Sequence, residues 1–238
     1  MRKDNQYTFD SRVRFSEVDH TGRITLPGII NYFQDCSTFQ SESLGVGVDY
    51  FKEHKRAWIL TYWQVVVEEY PRLAQEIHVA TWATEFKKML ANRNFCMTDF
   101  DGKKLAYANS VWAYMDTEKG RPILPSKEEV DAYGQGEPLE MDYQPRKVKL
   151  PESAKKQEPF AVRKYHIDTN EHVNNCQYVQ MAMEYVEYID AIRQVRVEYK
   201  NSAVYGDMIV PKVAIEENRT VVELCGEEDQ IFATVEFS

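Results

Sequence analysis

The sequence predicts an α+β protein built from two similar modules, each a curved antiparallel sheet around one long helix. Two observations support this fold class. A strand, a helix and four further strands follow one another in the first half, and the same order recurs in the second half. In addition, short segments of the two halves match at a constant shift, which indicates an internal repeat.

The first module begins with a strand and a helix. Aromatic and aliphatic residues alternate over residues 7–16, as in a strand with one buried face. Pro27 suits a first helical turn and Gly45 suits a helix end, so a helix is expected between them. Strands are expected at 57–68, 76–86, 92–100 and 104–116, and Asp101-Gly102 is a hairpin signal between the last two.

The second module repeats this order after a polar stretch punctuated by prolines. We therefore expect modules at 1–120 and 160–238, joined by a linker at 121–159. In the second module, residues 160–166 are expected to be extended, and apolar residues recur at helical spacing from Tyr178 to Ile189. Strands are expected at 194–200, 207–216, 219–225 and 230–237.

The repeat is clearest where each first strand leads into its helix. "FSEVDHTGRI" (15–24) matches "KYHIDTNEHV" (164–173) at a shift of 149 residues. Asp19 then corresponds to Asp168, and Arg23 corresponds to His172. Because arginine keeps its proton at neutral pH and cannot act as a base, the first copy is interpreted as a remnant without activity.

Composition excludes several classes of protein. The 238 residues are 43% hydrophobic and 28% charged, with a formal charge of −9, which disfavours nonspecific binding to nucleic acid. The longest apolar run, 58–67, is too short to span a membrane. The beginning of the chain lacks the apolar core of a secretory signal, and the four cysteines lack metal-type spacing, so a cytoplasmic protein with reduced thiols is expected.

Four polar side chains alternate at the start of the second module, where the sequence reads "YHIDTNEHVNNCQYV" (165–179). If this segment is extended, His166, Asp168, Asn170 and His172 share one edge and converge on a small target. A helix is expected to start near Asn174 and Asn175, where unpaired amides and the helix dipole favour a negatively charged oxygen. A metal site is disfavoured because the ligand types are mixed.

This junction resembles that of the acyl-ACP thioesterases of bacteria and plants, through the pattern D-x-N-x-H-V-N-N (168–175), Tyr178 and "VEYKNSAVYGD" (197–207). The resemblance implies a tandem, or double, hotdog: two antiparallel sheets, each wrapped around a long central helix and joined by a linker. It implies hydrolysis of the thioester between a fatty acyl chain and the phosphopantetheine arm of acyl carrier protein (ACP), without a cofactor. The first module would bind the acyl chain and the second would be catalytic.

The resemblance implies that Asp168, Asn170 and His172 are catalytic. Asn170 and the first helical amides would contact the thioester carbonyl, and Asp168 and His172 would orient or deprotonate a water molecule. Asn174 and Asn175 either position substrate or simply cap the helix. The plant members carry a Glu-Cys pair where this chain has Ser202 and Ala203, so the glutamate's role has moved, is lost, or is taken by a water held at Ser202.

Alternatives remain at this point. Cys176 lies in the first helical turn, where a thiol can be activated as a nucleophile. The substrate could be acyl-CoA or another small thioester, or the protein could bind acyl groups without catalysis; a hotdog dehydratase fits "NEHVNN" less well.

An acidic carrier protein would need a basic docking face, for which the linker offers Arg146, Lys147, Lys149, Lys155 and Lys156. Lys87-Lys88 and Lys103-Lys104 are rival docking sites. Either a monomer or a homodimer is compatible with two modules in one chain.

Overall fold

The computed structural model describes residues 5–238, which pack as two compact units. The first unit comprises the described residues up to Thr61 together with Val65–Tyr143. The second unit comprises Gln144–Ser238 together with the short stretch Tyr62–Gln64. The first part of the stretch that we expect as a linker, up to Tyr143, thus packs within the first unit.

The first unit is one sheet with a long helix against it. Its elements, in chain order, are β1 (Tyr7–Arg12), α1 (Leu26–Ser43), α2 (Val48–Glu53), β2 (Arg56–Val67), β3 (Glu76–Lys87), β4 (Leu90–Thr98), β5 (Lys104–Asp116), β6 (Arg121–Pro122) and α3 (Lys127–Tyr133). The strand order is β1-β3-β4-β5-β2, with β6 paired to β5. The pairs β1–β3, β3–β4 and β4–β5 are antiparallel, and α1 packs on β3.

The residues predicted to begin and end elements of the first unit do so through local chemistry. Thr25 caps α1 by accepting a hydrogen bond from the Gly28 amide at 3.1 Å, and Pro27 lies in the first turn. Gly45 has a left-handed φ of 72° just after α1, which ends the helix. Gly102 has φ 85° in the turn between β4 and β5, so the predicted hairpin is confirmed.

The core of the first unit lies between α1 and the sheet. Ile29, Ile30 and Phe33 of α1 are fully buried, and the Phe33 ring lies 5.3 Å from the Phe95 ring of β4. Burying a side chain of this size contributes about 1.5–3 kcal/mol. α3 completes the unit, because Tyr133 packs with Val46 and Ala83 in a second apolar cluster.

The second unit repeats the plan in a shorter form. Its elements are β7 (Lys155–Lys156), β8 (Phe160–Ala161), α4 (Asn175–Met183), β9 (Gln194–Tyr199), β10 (Met208–Glu216), β11 (Arg219–Cys225) and β12 (Ile231–Phe237). The strand order is β9-β12-β11-β10-β7, with β8 paired to β10, and the pairs are antiparallel. α4 packs on β11 and β12.

The helix of the second unit is shorter than its apolar spacing predicts. α4 has nine residues, whereas α1 has 18, and Ile189 lies in a separate 3₁₀ turn. After α4 the backbone forms hydrogen bonds between residues three apart, as in a 3₁₀ turn. The Tyr185 amide donates to the Ala182 carbonyl at 3.2 Å, and the Val186 amide donates to the Met183 carbonyl at 3.0 Å. Carboxylates at Glu184 and Glu187 follow the carboxyl end of α4, where the helix dipole disfavours negative charge.

The remaining linker residues are fastened to the second unit by a buried ion pair. The Arg196 guanidinium contacts the Glu236 carboxylate at 2.7 Å, and both side chains are largely buried. The same guanidinium donates hydrogen bonds to the Pro145 carbonyl at 2.6 Å and the Lys147 carbonyl at 3.2 Å. Arg196 therefore fixes the linker backbone at residues 145–147 on its own unit.

Candidate active site

The segment 166–174 is a tight hairpin and not an extended strand. The Asp168 amide donates to the His172 carbonyl at 2.8 Å, and the Glu171 amide donates to the Asp168 carbonyl at 3.1 Å. The Asn174 amide then donates to the His166 carbonyl at 2.9 Å. These bonds place Asp168, Asn170 and His172 on one turn that leads directly into α4.

Our expectation that 160–166 is extended and that four side chains share a strand edge is therefore wrong. Only Phe160–Ala161 forms a strand, and Lys164–His166 is a 3₁₀ turn. His166 is buried, whereas Asn170 and His172 are exposed, so the four side chains do not point the same way. The physical reason is that the Asp168 side chain bonds to its own loop and favours a turn over a strand.

The Asp168 carboxylate builds this turn. Its Oδ1 accepts a hydrogen bond from the Asn170 amide at 2.8 Å, and the side chain is half-buried. Within residues 5–238, the carboxylate makes no direct hydrogen bond to the His172 imidazole. This hydrogen bond supports the shape of the loop that carries Asn170 and His172.

Glu171 closes the turn in a strained conformation. Its φ is 61°, in the left-handed region that side chains other than glycine seldom occupy. The equivalent residue of the first unit is Gly22, with φ 75°. The two turns thus share one backbone shape, and only the first has the residue that adopts it without strain.

The first unit contains a second copy of the whole hairpin. The Asp19 amide donates to the Arg23 carbonyl at 2.8 Å, and the Thr25 amide donates to the Glu17 carbonyl at 2.9 Å. Asp19 Oδ1 accepts hydrogen bonds from the Thr21 amide at 2.8 Å and the Thr21 hydroxyl at 2.7 Å. The predicted repeat is therefore present in the hydrogen bonds as well as in the sequence.

The amino end of α4 lies immediately after the hairpin. Asn174 is the N-cap residue, and its Oδ1 accepts a hydrogen bond from the Cys176 amide at 2.9 Å. The Asn175 carbonyl accepts a hydrogen bond from the Tyr199 hydroxyl at 3.0 Å. The side-chain oxygen of Asn174 is thus used in capping, while the positive end of the helix dipole faces the hairpin residues that precede it.

A loop between β9 and β10 contacts the hairpin through its backbone. The Ala203 carbonyl accepts a hydrogen bond from the Val173 amide at 2.9 Å. The Ala203 amide donates to the Tyr178 hydroxyl of α4 at 2.8 Å. Ala203 is fully buried, whereas the neighbouring Ser202 is exposed, so Ser202 stands at the surface beside a firmly held backbone.

His166 and Cys176 are buried groups with altered acidity. His166 Nδ1 accepts a hydrogen bond from the Arg163 amide at 3.0 Å, and burial together with the Arg163 charge lowers the pKa of the imidazole. Burial raises the pKa of the Cys176 thiol to about 12. A thiol with this pKa stays protonated at neutral pH, which contradicts the interpretation of Cys176 as an activated nucleophile.

Sequence reasoning identified the hairpin residues but gave no role to Tyr178 beyond its place in the resembling motif. Its contact with Ala203 joins residues 25 positions apart and depends on how α4 packs against the loop after β9. Spacing along the chain carries no signal for such a contact.

Two of the basic residues considered for docking have acidic partners. The Lys103 ammonium pairs with Glu69, and Lys156 lies 3.7 Å from Asp229, which also binds Lys212 at 3.0 Å. These side chains are exposed, so each pair contributes little to stability. The pairs do reduce the positive charge that either site presents to an acidic partner.

The described residues lack two other kinds of feature. Between residues 5 and 238, no helix is both long and apolar enough to cross a bilayer. Over the same residues, no group of three or more histidine, cysteine, aspartate or glutamate side chains is arranged to hold a metal ion.

Comparison with known proteins defines the class first. The fold is a double hotdog. An acyl-ACP thioesterase from Bacteroides thetaiotaomicron matches 98% of this chain and 97% of its own chain, with a TM-score of 0.87 and 24% identity. The 12:0-ACP thioesterase from Umbellularia californica matches 100% of this chain and 98% of its own, with a TM-score of 0.87 and 19% identity.

The particular family follows from the sequence comparison. The acyl-ACP thioesterase N-terminal domain matches residues 4–133, and the acyl-ACP thioesterase C-terminal domain matches residues 149–235. The chain belongs to the acyl-ACP thioesterase family. A chloroplastic acyl-[acyl-carrier-protein] hydrolase of Cuphea viscosissima is 29% identical over 181 residues, which are 71% of this chain and 43% of that protein. The chain thus spans less than half the length of this relative.

Proposed function

We propose that the protein hydrolyses the thioester of fatty acyl-ACP and releases a free fatty acid. The observation that carries this proposal is the hairpin that presents Asp168, Asn170 and His172 at the amino end of α4, in a chain of the acyl-ACP thioesterase family. The substrate is the acyl chain linked to the phosphopantetheine arm of ACP. The reaction needs no cofactor, because water is the only other reactant.

The proposed mechanism begins with attack of water on the thioester carbon. The exposed His172 imidazole accepts a proton from the water as its oxygen bonds to the carbonyl carbon. The carbonyl oxygen becomes negatively charged and is stabilised by the Asn170 carboxamide and by amides of the first turn of α4. The carbon–sulfur bond then breaks, and the leaving thiolate takes the proton from the imidazolium.

Asp168 acts in this mechanism in two ways, by fixing the loop and through its charge. Its hydrogen bond to the Asn170 amide holds Asn170 and His172 on one turn. Fixing these groups near the reacting atoms lowers the barrier because less freedom is lost in the transition state. Its negative charge also favours the imidazolium that forms on His172. Ser202, exposed beside the hairpin, can hold a water where plant members have glutamate.

The two units have different roles in this proposal. The second unit supplies the hairpin, while the first unit, whose copy has Arg23 in place of His172, binds the acyl chain. Aromatic side chains inside the first unit suit this role: Trp58 lies 4.7 Å from the Tyr114 ring and 6.0 Å from the Phe86 ring. A groove of about 420 Å³ on the same unit has both apolar side chains (Trp82, Leu139) and polar ones (Gln6, Glu137, Glu140) in its lining.

A noncatalytic acyl-binding function is the second candidate, because Ser202 and Ala203 replace the Glu-Cys pair of the plant members. Thiol release from ACP carrying fatty acyl chains of graded length separates the two functions. Our proposal predicts multiple turnovers with acyl-ACP, and faster turnover than with the matched acyl-CoA. Tight acyl binding without thiol release would select the noncatalytic function, and faster turnover of acyl-CoA would transfer the assignment to a hydrolase of small thioesters.

Location and assembly stay predictions. A cytoplasmic protein, monomeric or homodimeric, is what we expect from the sequence.

A further inference from the structure

We propose that Tyr178 is a positioning residue, whose hydroxyl holds the loop after β9 against the hairpin so that Asn170 and His172 keep their reactive arrangement. This inference rests on the proposed function and deepens it. Tyr178 itself is not assigned a chemical step.

The contact closes a ring of three bonded segments. The Ala203 amide donates to the Tyr178 hydroxyl at 2.8 Å, and the Ala203 carbonyl accepts from the Val173 amide at 2.9 Å. Val173 follows His172 directly, and Tyr178 lies on the helix that starts two residues after Val173. Both polar groups of Ala203 are thus used to join the loop to the two ends of the segment 173–178.

The bond lies in a buried environment that favours a fixed geometry. Tyr178 is 2% exposed and Ala203 is fully buried. Burial raises the pKa of Tyr178 to about 12, and the nearby Asp207 and Asp168 carboxylates act in the same direction. The phenol therefore stays neutral over the working pH range and offers an oxygen lone pair to the Ala203 amide.

The first unit provides an internal comparison. There the Ile24 amide donates to the Pro71 carbonyl at 2.8 Å, as the Val173 amide does to Ala203. At the 149-residue shift, Ile29 takes the place of Tyr178. Pro71, which has no amide hydrogen, corresponds to Ala203 through its hydrogen bond with the Ile24 amide. The loop in the first unit is held to its hairpin by backbone bonds, among them one from the Leu73 amide to the Gly22 carbonyl at 2.9 Å, without a hydroxyl from residue 29 of the helix.

This difference separates a structural role from a positioning role. Replacing both partners of a buried hydrogen bond with apolar groups can have little effect on stability, and the first unit forms the same hairpin with Ile29 and Pro71 at the corresponding places. The polar pair occurs in the unit that carries His172 and is missing from the unit that carries Arg23. We infer that it serves the site, because the fold alone does not require it.

Steady-state kinetics on acyl-ACP tests the inference with Tyr178→Phe and with the double variant Tyr178→Ile/Ala203→Pro, which copies the first unit. We expect each to lower kcat at least tenfold and to change KM less than twofold, since the groups that bind the acyl chain are untouched. Tyr32→Phe, which removes a buried hydroxyl bonded to the Arg12 carbonyl and to Glu17 in the first unit, is the matched control and should keep its kcat. A kcat within twofold of wild type in folded Tyr178→Phe would overturn the inference.

Amide hydrogen exchange gives a second readout that does not depend on activity. Tyr178→Phe should speed exchange at least tenfold at Val173 and Ala203, whereas Tyr32→Phe should leave both amides unchanged. Unchanged exchange at Val173 in Tyr178→Phe would overturn the positioning role even if the double variant failed to fold. If wild-type protein releases no thiol, the proposed function fails by itself, and the exchange result still decides whether Tyr178 orders the hairpin.

Discussion

Replacing Asp168 with asparagine separates the charge of this side chain from its place in the hairpin. In the wild type, Asp168 Oδ1 accepts a hydrogen bond from the Asn170 amide at 2.8 Å. Asparagine keeps an Oδ1 that can accept this bond but carries no negative charge. Alanine removes both. A hydrogen bond to a charged group contributes about 1.5–3 kcal/mol, and partial exposure of Asp168 places the loss in Asp168→Ala near the lower value. The free energy of unfolding of Asp168→Asn should therefore lie within about 1 kcal/mol of the wild-type value.

The two variants should differ in stability, and Asp168→Ala should lose more activity than Asp168→Asn because it also releases the loop. If the Asp168 charge favours the imidazolium on His172, Asp168→Asn should lower kcat about 100-fold, which corresponds to roughly 2.7 kcal/mol in the activation barrier. The assay is thiol release from acyl-ACP, with unfolding in urea measured on the same samples.

The first unit supplies the control. Asp19 makes the same bond to its own turn, from the Thr21 amide at 2.8 Å, beside Arg23. Asp19→Asn should keep wild-type kcat. Turnover of Asp168→Asn at the wild-type rate would refute the argument, as would an equal loss of activity in Asp19→Asn.

Three further predictions concern neighbours of the hairpin. Glu171→Gly should raise the free energy of unfolding by about 0.5–1 kcal/mol, because glycine adopts the left-handed φ of 61° without strain. Gly22→Glu should lower the free energy of unfolding for the same reason. A destabilised Glu171→Gly would show that the strain argument is wrong. Cys176→Ala should keep kcat within about twofold, and iodoacetamide at pH 8 should leave the folded enzyme active, because burial raises the thiol pKa to about 12; inactivation by alkylation at Cys176 would contradict this. His166 has a lowered pKa when folded, so its contribution to stability is intact above pH 6.5 and is lost as the pH falls from there toward the folded-state pKa. The free energy of unfolding of wild type should thus fall more than that of His166→Asn on acidification over this range. Parallel losses in the two proteins would count against the lowered pKa of His166.

The strands, the caps and the repeat could be predicted from sequence because each depends on local chemistry. Asp101-Gly102 defines a turn that Gly102 closes with φ 85°, and Gly45 ends α1 with φ 72°. The correspondence of Asp19 with Asp168 is visible in the sequence and reappears in matching hydrogen bonds. In each case the residue type itself dictates the backbone shape.

The shape of the hairpin was missed because alternation was interpreted as a strand. Alternate side chains share a face only when the backbone is extended, and the Asp168 side chain instead bonds to the Asn170 amide and bends the chain. The match of "DTNEH" to "DHTGR" contained the signal, because glycine at position 22 indicates a left-handed turn residue. The length of α4 and the contact between Tyr178 and Ala203 depend on packing between distant segments, which periodicity does not report.

The account depends most directly on His172, whose counterpart in the repeat, Arg23, cannot accept a proton. The decisive measurement is kcat for thiol release from acyl-ACP by wild type, His172→Gln and Arg23→Gln at equal folded concentration. We predict at least a tenfold loss in His172→Gln and wild-type turnover in Arg23→Gln. Wild-type turnover in His172→Gln would contradict the assignment of the hairpin as the site of hydrolysis.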